Sequence, residues 1–279
     1  MCTDDRRCER CPARRIGAGP RVVAAALPAL GTVVSVTAND AALLSHTGEY
    51  QPPALPGEAL RCGDQQIALR VHPGLVSDTV LTERALTMAN ATGTHRAYLT
   101  PLSDRLVVEA LESAPVAEPE TADALDWSSV NWSEADQITH LDDLTPERYR
   151  VLPFTGARRV DARVFPHLLT HLSDMSLAYT VAVPGGGCVQ LHRGPAAFVE
   201  HTSSHVSVIF GAARYAVDPS FVAECWVTQA HGVTGTTSSV ELYDHSNRCV
   251  TVLTQTGPVC HHLHEAWEAV VASLPADEQ

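Results

Sequence analysis

The sequence predicts an α+β protein in which helices come early and an antiparallel sheet comes late. Three observations carry this. Val206, Val208 and Phe210 alternate with Ser207 and Ile209, Gly211 turns the chain, and Tyr215 to Val217 resumes an apolar run, which together read as a β-hairpin. Further strand-like runs follow at 177–183, before Pro184 and three glycines, and at 223–230, 240–243 and 249–254. Apolar residues at helical spacing mark 77–90, 98–111, 160–172 and a closing amphipathic segment, 264–274.

Taken in order, residues 1–20 are polar and Arg-rich and are expected to be mobile. Residues 21–38 form an apolar strand or buried helix. Pro28, Gly31 and the acidic start argue against reading 1–38 as a signal peptide. Pro52, Pro53, Pro56 and Gly57 mark a loop, and 66–71 is too short to assign between helix and strand. Residues 112–147 are acidic and proline-bearing, the pattern of an exposed insertion, with Trp127 and Trp132 as docking points. The expected organisation is a mobile segment, 1–20, and one domain, 21–279, carrying that insertion.

With 45% hydrophobic residues the chain can bury a real core, and a net charge of −13 argues against nucleic acid or an anionic membrane as the main partner. Arg21 to Ala38 is the nearest approach to a spanning segment and is too interrupted to be one. Eight scattered cysteines suit reduced thiols in the cytoplasm.

The chemistry centres on the hairpin. If Gly211 pairs with Arg214, or Phe210 with Tyr215, then Ser207 faces Asp218 and His205 faces Ser220. His205 and Asp218 become diagonal neighbours on one face, roughly 7–8 Å apart at Cβ. A carboxylate there would fix the imidazole tautomer and leave its second nitrogen as a base. Two cysteines compete for the third role. Cys62 stands after a Pro/Gly loop beside Arg61, where a helix start would favour the thiolate. Cys188 follows Gly185-Gly186-Gly187, whose N–H groups could surround an oxyanion.

His205 with Asp218-Pro219-Ser220, and Cys62-Gly63-Asp64-Gln65, resemble the papain-like cysteine enzymes, most of all their transglutaminase-like branch. Gly186-Gly187-Cys188 is faintly similar to the cysteine segment of arylamine N-acetyltransferases. The likeness covers about twenty-five residues. It implies a papain/transglutaminase-like fold with helices packed on an antiparallel sheet, a Cys62-His205-Asp218 triad without cofactor, and acyl transfer or amide hydrolysis on a peptide, amide or thioester. Gln65 is a candidate oxyanion donor and Cys188 the alternative nucleophile. A second class is a metal-binding β-barrel using His192, His201 and His205; a third is a non-catalytic binding protein on a degenerate papain-like fold. For metal, Cys8 and Cys11 with His261 and His262 are candidates, but they lack the two close-spaced pairs of a structural zinc site.

Overall fold

The structure, a computed structural model, describes residues 13–54, 66–118, 157–232, 235–256 and 259–277. Its first half is built mostly of strands: β1 (Arg14–Arg15), β2 (Gly31–Ala38), β3 (Ala42–Tyr50), β4 (Gln66–Val71), β5 (Asp78–Leu81), β6 (Ala85–Asn90) and β7 (Gly93–Ser103). Helix α1 (Pro20–Ala26) precedes β2, and α2 (Arg105–Glu112) follows β7. Pro20 opens α1 where its missing N–H costs nothing. The Asp104 side chain caps α2 by accepting from the Leu106 N–H.

The second half contains β8 (Arg158–Val160), α3 (Phe165–Asp174), β9 (Tyr179–Gly185), β10 (Cys188–Gly194), β11 (Phe198–His201), β12 (Val206–Phe210), β13 (Ala213–Val217), β14 (Val222–Gly232), β15 (Gly235–Asp244), β16 (Cys249–Thr254) and α4 (His261–Ala272).

Strand β3 organises the molecule. One edge pairs with β2 along most of its length. The other edge divides: Ala42–His46 pairs with β13, and Glu49 and Tyr50 pair in parallel with Gln66 and Ile67 of β4. From this fork two antiparallel sheets diverge. The first runs β1-β5-β6-β7-β2-β3-β13-β12-β11, and the second β4-β10-β9-β16-β15-β14-β8. The inner faces enclose two apolar clusters. One gathers Leu44, Val181, Val208, Tyr215, Leu242 and Trp267 under α3 and α4. The other gathers Val23, Leu30, Val33, Ile67, Leu86 and Val108 under α1 and α2. Burial at about 25 cal/mol per Å² of apolar surface makes these clusters the main source of stability.

This is not a papain-like or transglutaminase-like fold: two sheets sharing a forked strand replace a helical half facing a sheet. Residues 77–90 are not helical but a hairpin, because Thr79 and Leu81, then Leu86 and Met88, point inward at a period of two around a turn at Thr82–Arg84. Residues 98–111 divide at Asp104 between strand β7 and helix α2. Pro166 does not interrupt a helix at 160–172; it stands in the first turn of α3. The strands expected over 177–183, 223–230, 240–243 and 249–254 lie within β9, β14, β15 and β16, and α4 covers most of the expected closing helix. Most of the acidic segment, 112–147, lies outside the described residues. No helix among the described residues is long and apolar enough to cross a membrane.

The three glycines at 185–187 have a structural explanation. Gly186 (φ +67) and Gly187 (φ +75) form the two-residue turn joining β9 to β10, since Gly185 pairs with Cys188. Positive φ at both positions is the requirement of a type I′ hairpin turn. The tip also docks on the first sheet: a Cβ on Gly186 would stand 2.5 Å from the Met88 carbonyl oxygen. Gly211 (φ +72) has only open space around it. Gly186→Ala should therefore lower the urea midpoint clearly more than Gly211→Ala, whose cost is the left-handed backbone alone, about 1–2 kcal/mol. Equal losses would refute the docking role of the tip.

Candidate functional site

The hairpin that dominates the sequence is present, in a register shifted by two residues. Phe210 pairs with Ala213 and Val206 with Val217, so Gly211 and Ala212 make the turn. A positive φ at Gly211 alone fits a type II′ turn. Ser207 consequently faces Ala216, not Asp218, and His205 and Asp218 stand level just beyond the ends of β12 and β13. They do not form a catalytic pair. Asp218 Oδ1 accepts from the Ser220 N–H (2.9 Å) and hydroxyl (2.6 Å), capping a short 3-10 turn. Those bonds, with His205 nearby, hold its carboxyl below the usual range. His205 Nδ1 meets Thr202 Oγ1 at 3.0 Å and Ser204 Oγ at 3.2 Å. Together with Pro166 and His201 these residues line an open cleft of about 420 Å³.

No cysteine joins them among the described residues. Cys188 is buried at the start of β10 in the other apolar cluster. Cys62, Gln65, Cys8 and Cys11 lie outside the described residues. His261 pairs with Glu265, and His262 Nε2 stands 3.7 Å from Cys260 Sγ. No group of three or more potential metal ligands occurs among the described residues. The β-barrel alternative also dissolves: His192 is buried against His46 and Phe210, whereas His201 bonds Thr170 at the cleft.

The inner faces carry an unexpected polar seam. Thr37 donates to Gln190 Oε1 across the sheets (2.9 Å) and lies 2.7 Å from His95 Nδ1. Tyr50 OH lies 2.8 Å from His95 Nε2. Since the single Thr37 proton goes to Gln190, His95 must carry its proton on Nδ1 and accept from Tyr50 at Nε2. Burial drives His95 down to about 3 and also lowers His46, which is 1% exposed and has neither ring nitrogen hydrogen-bonded. The alternation that points Gln190 inward points its neighbours outward.

The outer face of the second sheet is the more distinctive site. Arg70 of β4 is 1% exposed. It stands opposite Val189, while Ala68 is opposite Leu191, Leu191 opposite Ala182 and Ala182 opposite Val252. Four of these side chains, Ala68, Ala182, Val189 and Val252, are small, and all are buried, so this face is covered within the protein and surrounds one guanidinium with apolar side chains. Its planar fork of donors is of the geometry that pairs with a carboxylate. Sequence reasoning passed over Arg70. An arginine inside the apolar run Ile67-Ala68-Leu69-Arg70-Val71 was the available signal, since a strand buried on both faces has no outlet for a charge.

These two sheets and their fork are an architecture shared with solved structures of other proteins. Residues 147–274 match the profile of a family described as the haemin-degrading HemS.ChuX domain. The fold is that of PhuS, a heme-binding protein from Pseudomonas aeruginosa, with a TM-score of 0.73 and 19% identity over 95% of this chain and 87% of that one. ChuS, an E. coli heme oxygenase, has a TM-score of 0.74 and 19% identity over 94% of this chain and 88% of its own. No curated protein sequence matches the chain. These likenesses overturn the papain-like resemblance and, with it, thiol-dependent acyl transfer, a cysteine hydrolase and a peptide or thioester substrate.

The seam has a pH consequence. A folded pKa near 3 against about 6.5 unfolded means the unfolded state binds more protons between those values, so stability falls as pH falls through that window. By pH 4 the loss attributable to His95 is about 3 kcal/mol relative to pH 7. Urea melts from pH 7 to 4 should show this slope, and His95→Gln should flatten it. A variant with the wild-type slope would place the acid sensitivity elsewhere.

Proposed function

We propose that this protein binds heme as its substrate or cargo, on the outer face of the second sheet. The observation that carries the reading is the match of residues 147–274 to the haemin-degrading HemS.ChuX profile, with the buried Arg70 and its neighbours Ala68, Ala182, Val189, Leu191 and Val252 as the candidate lining. A porphyrin presents a flat apolar ring with carboxylates at its edge. These apolar neighbours suit the ring, and the guanidinium suits a carboxylate through paired N–H···O bonds. The family profile over 147–274 and the fold shared with a heme-binding protein and a heme oxygenase support the same ligand. The reading stops at binding, the step these residues serve.

Titration with ferric hemin, followed by the Soret band, tests the proposal. The wild type should saturate at one equivalent. Arg70→Leu should weaken binding about 10- to 100-fold, the equivalent of one charged hydrogen-bonded contact, and Arg70→Lys should fall between because a single ammonium lacks the fork. Thermal melts of each variant separate loss of the contact from loss of the fold. Wild-type affinity in a folded Arg70→Leu protein would remove the guanidinium from the site.

A further inference from the structure

The cleft at the open end of the β12–β13 hairpin holds two polar atoms that the heme reading does not use. Thr202 identifies the first. Its hydroxyl donates to the His205 carbonyl (2.9 Å) and accepts from the His205 N–H (3.0 Å). The one Thr202 proton is therefore spent, and His205 Nδ1, 3.0 Å from the same oxygen, must be the donor in that contact. The neutral ring then carries its lone pair at Nε2, which meets no partner among the described residues. The second atom is Asp218 Oδ2. Oδ1 holds the turn by accepting from the Ser220 N–H and hydroxyl, whereas Oδ2 has no hydrogen bond among the described residues. The bonds from Ser220 hold the carboxyl below the usual range, so it is ionised at neutral pH.

The two groups belong to one site. They stand level across the ends of β12 and β13, and His205 is near enough to act on the Asp218 charge, yet no ion pair joins them. Both line the cleft of about 420 Å³. Ser220, whose proton goes to Asp218, adds an acceptor oxygen, and Pro166, Val206 and Pro219 add apolar surface. No arginine or lysine is among the described residues that line it.

This lining selects its ligand by charge and by donor count. An anion would meet a carboxylate and no cation. A metal ion would find two ligands, one imidazole and one carboxylate, and no group of three potential ligands occurs among the described residues. A primary ammonium group fits: it is positive and has three N–H donors, and the cleft offers a carboxylate oxygen, a ring nitrogen and a hydroxyl oxygen. The net charge of −13 favours the approach of cations.

We propose that this cleft binds the primary ammonium group of a small organic molecule, with Asp218 Oδ2, His205 Nε2 and Ser220 Oγ as acceptors. Pro166 and Pro219 flank its aliphatic chain. The assignment is independent of where heme binds.

Amide nuclear magnetic resonance spectra of the full chain, titrated with n-butylammonium chloride in phosphate buffer at constant ionic strength, test it. The signals of Ser204, His205 and Ser220 should shift and saturate. Tetramethylammonium has the same charge but no N–H donor, and should bind roughly fivefold more weakly or worse. Asp218→Asn, which keeps Oδ1 for the turn, should weaken butylammonium binding about tenfold. His205→Phe, which keeps a ring and loses the lone pair, should weaken it about fivefold. Thermal melts confirm that each variant is folded, and the comparison of the two cations needs no variant. Equal binding of the two cations, or wild-type affinity in folded Asp218→Asn protein, would overturn the proposal. So would shifts that fail to saturate or that centre outside the cleft.

Discussion

The hydrogen bond from Thr37 to Gln190 is the constraint on which the rest of this structure depends. It crosses from the first sheet to the second in the buried interior, and it is one link in a chain that ends at Tyr50 through His95. A buried polar network stabilises only when its members are satisfied, and an incomplete one is worse than an apolar contact. The bonds of Thr37, His95 and Tyr50 form in one register, which leaves Gln190 Nε2 as the unpaired member of the network. Sliding β10 by a single residue would turn Gln190 and His192 outward and drive Val189 and Leu191 into the seam. The seam therefore does more than join the sheets; it determines which residues face out.

From that choice of face the proposed site follows. With Gln190 inward, β10 gives Val189 and Leu191 to the opposite, buried face of the sheet, and the paired strands add Ala68, Arg70 and Ala182. The glycine turn at 186–187 sets the end of the hairpin against β7 and beside the 73–76 turn, which fixes the end of β4 where Arg70 and His72 lie. Interior polar bonds, a close-packed glycine tip and a buried apolar face are thus consecutive consequences of one strand pairing. A sheet built this way is stiff, and preorganisation of that kind reduces the entropic cost of binding a ligand.

Much of the second half was legible in the sequence. The strands β9, β14, β15 and β16 and the closing helix carry strong apolar patterns, and their pairing is local. The hairpin of His205 to Phe221 was legible as a hairpin, but a Gly-Ala turn permits more than one register, and the true one moved Asp218 into a capping role. The first half was harder. Leu81, Leu86 and Met88 serve a two-residue period broken by a turn, which over fourteen residues imitates a helix. The seam was beyond reach because Thr37, His95 and Gln190 meet only through long-range packing. Arg70 was within reach, as a charge inside an apolar run, but reasoning that began from nucleophile, base and acid had no place for it. The papain-like resemblance rested on side-chain types that recur at ordinary turns: Asp-Pro-Ser after a strand and Gly-Gly-Cys at a hairpin.

The central claim is that heme meets this protein on the outer face of the second sheet. Paramagnetic broadening tests it most directly, because ferric heme relaxes nearby nuclei wherever it binds. In a methyl-labelled sample with one equivalent of ferric hemin, the resonances of Ala68, Ala182 and Val189 should broaden beyond detection. Those of Val199 on β11 and Thr202 in the His205 cleft should persist. Broadening centred on Thr202, with the Ala68 and Ala182 methyls unchanged, would contradict the account and move the site to the cleft.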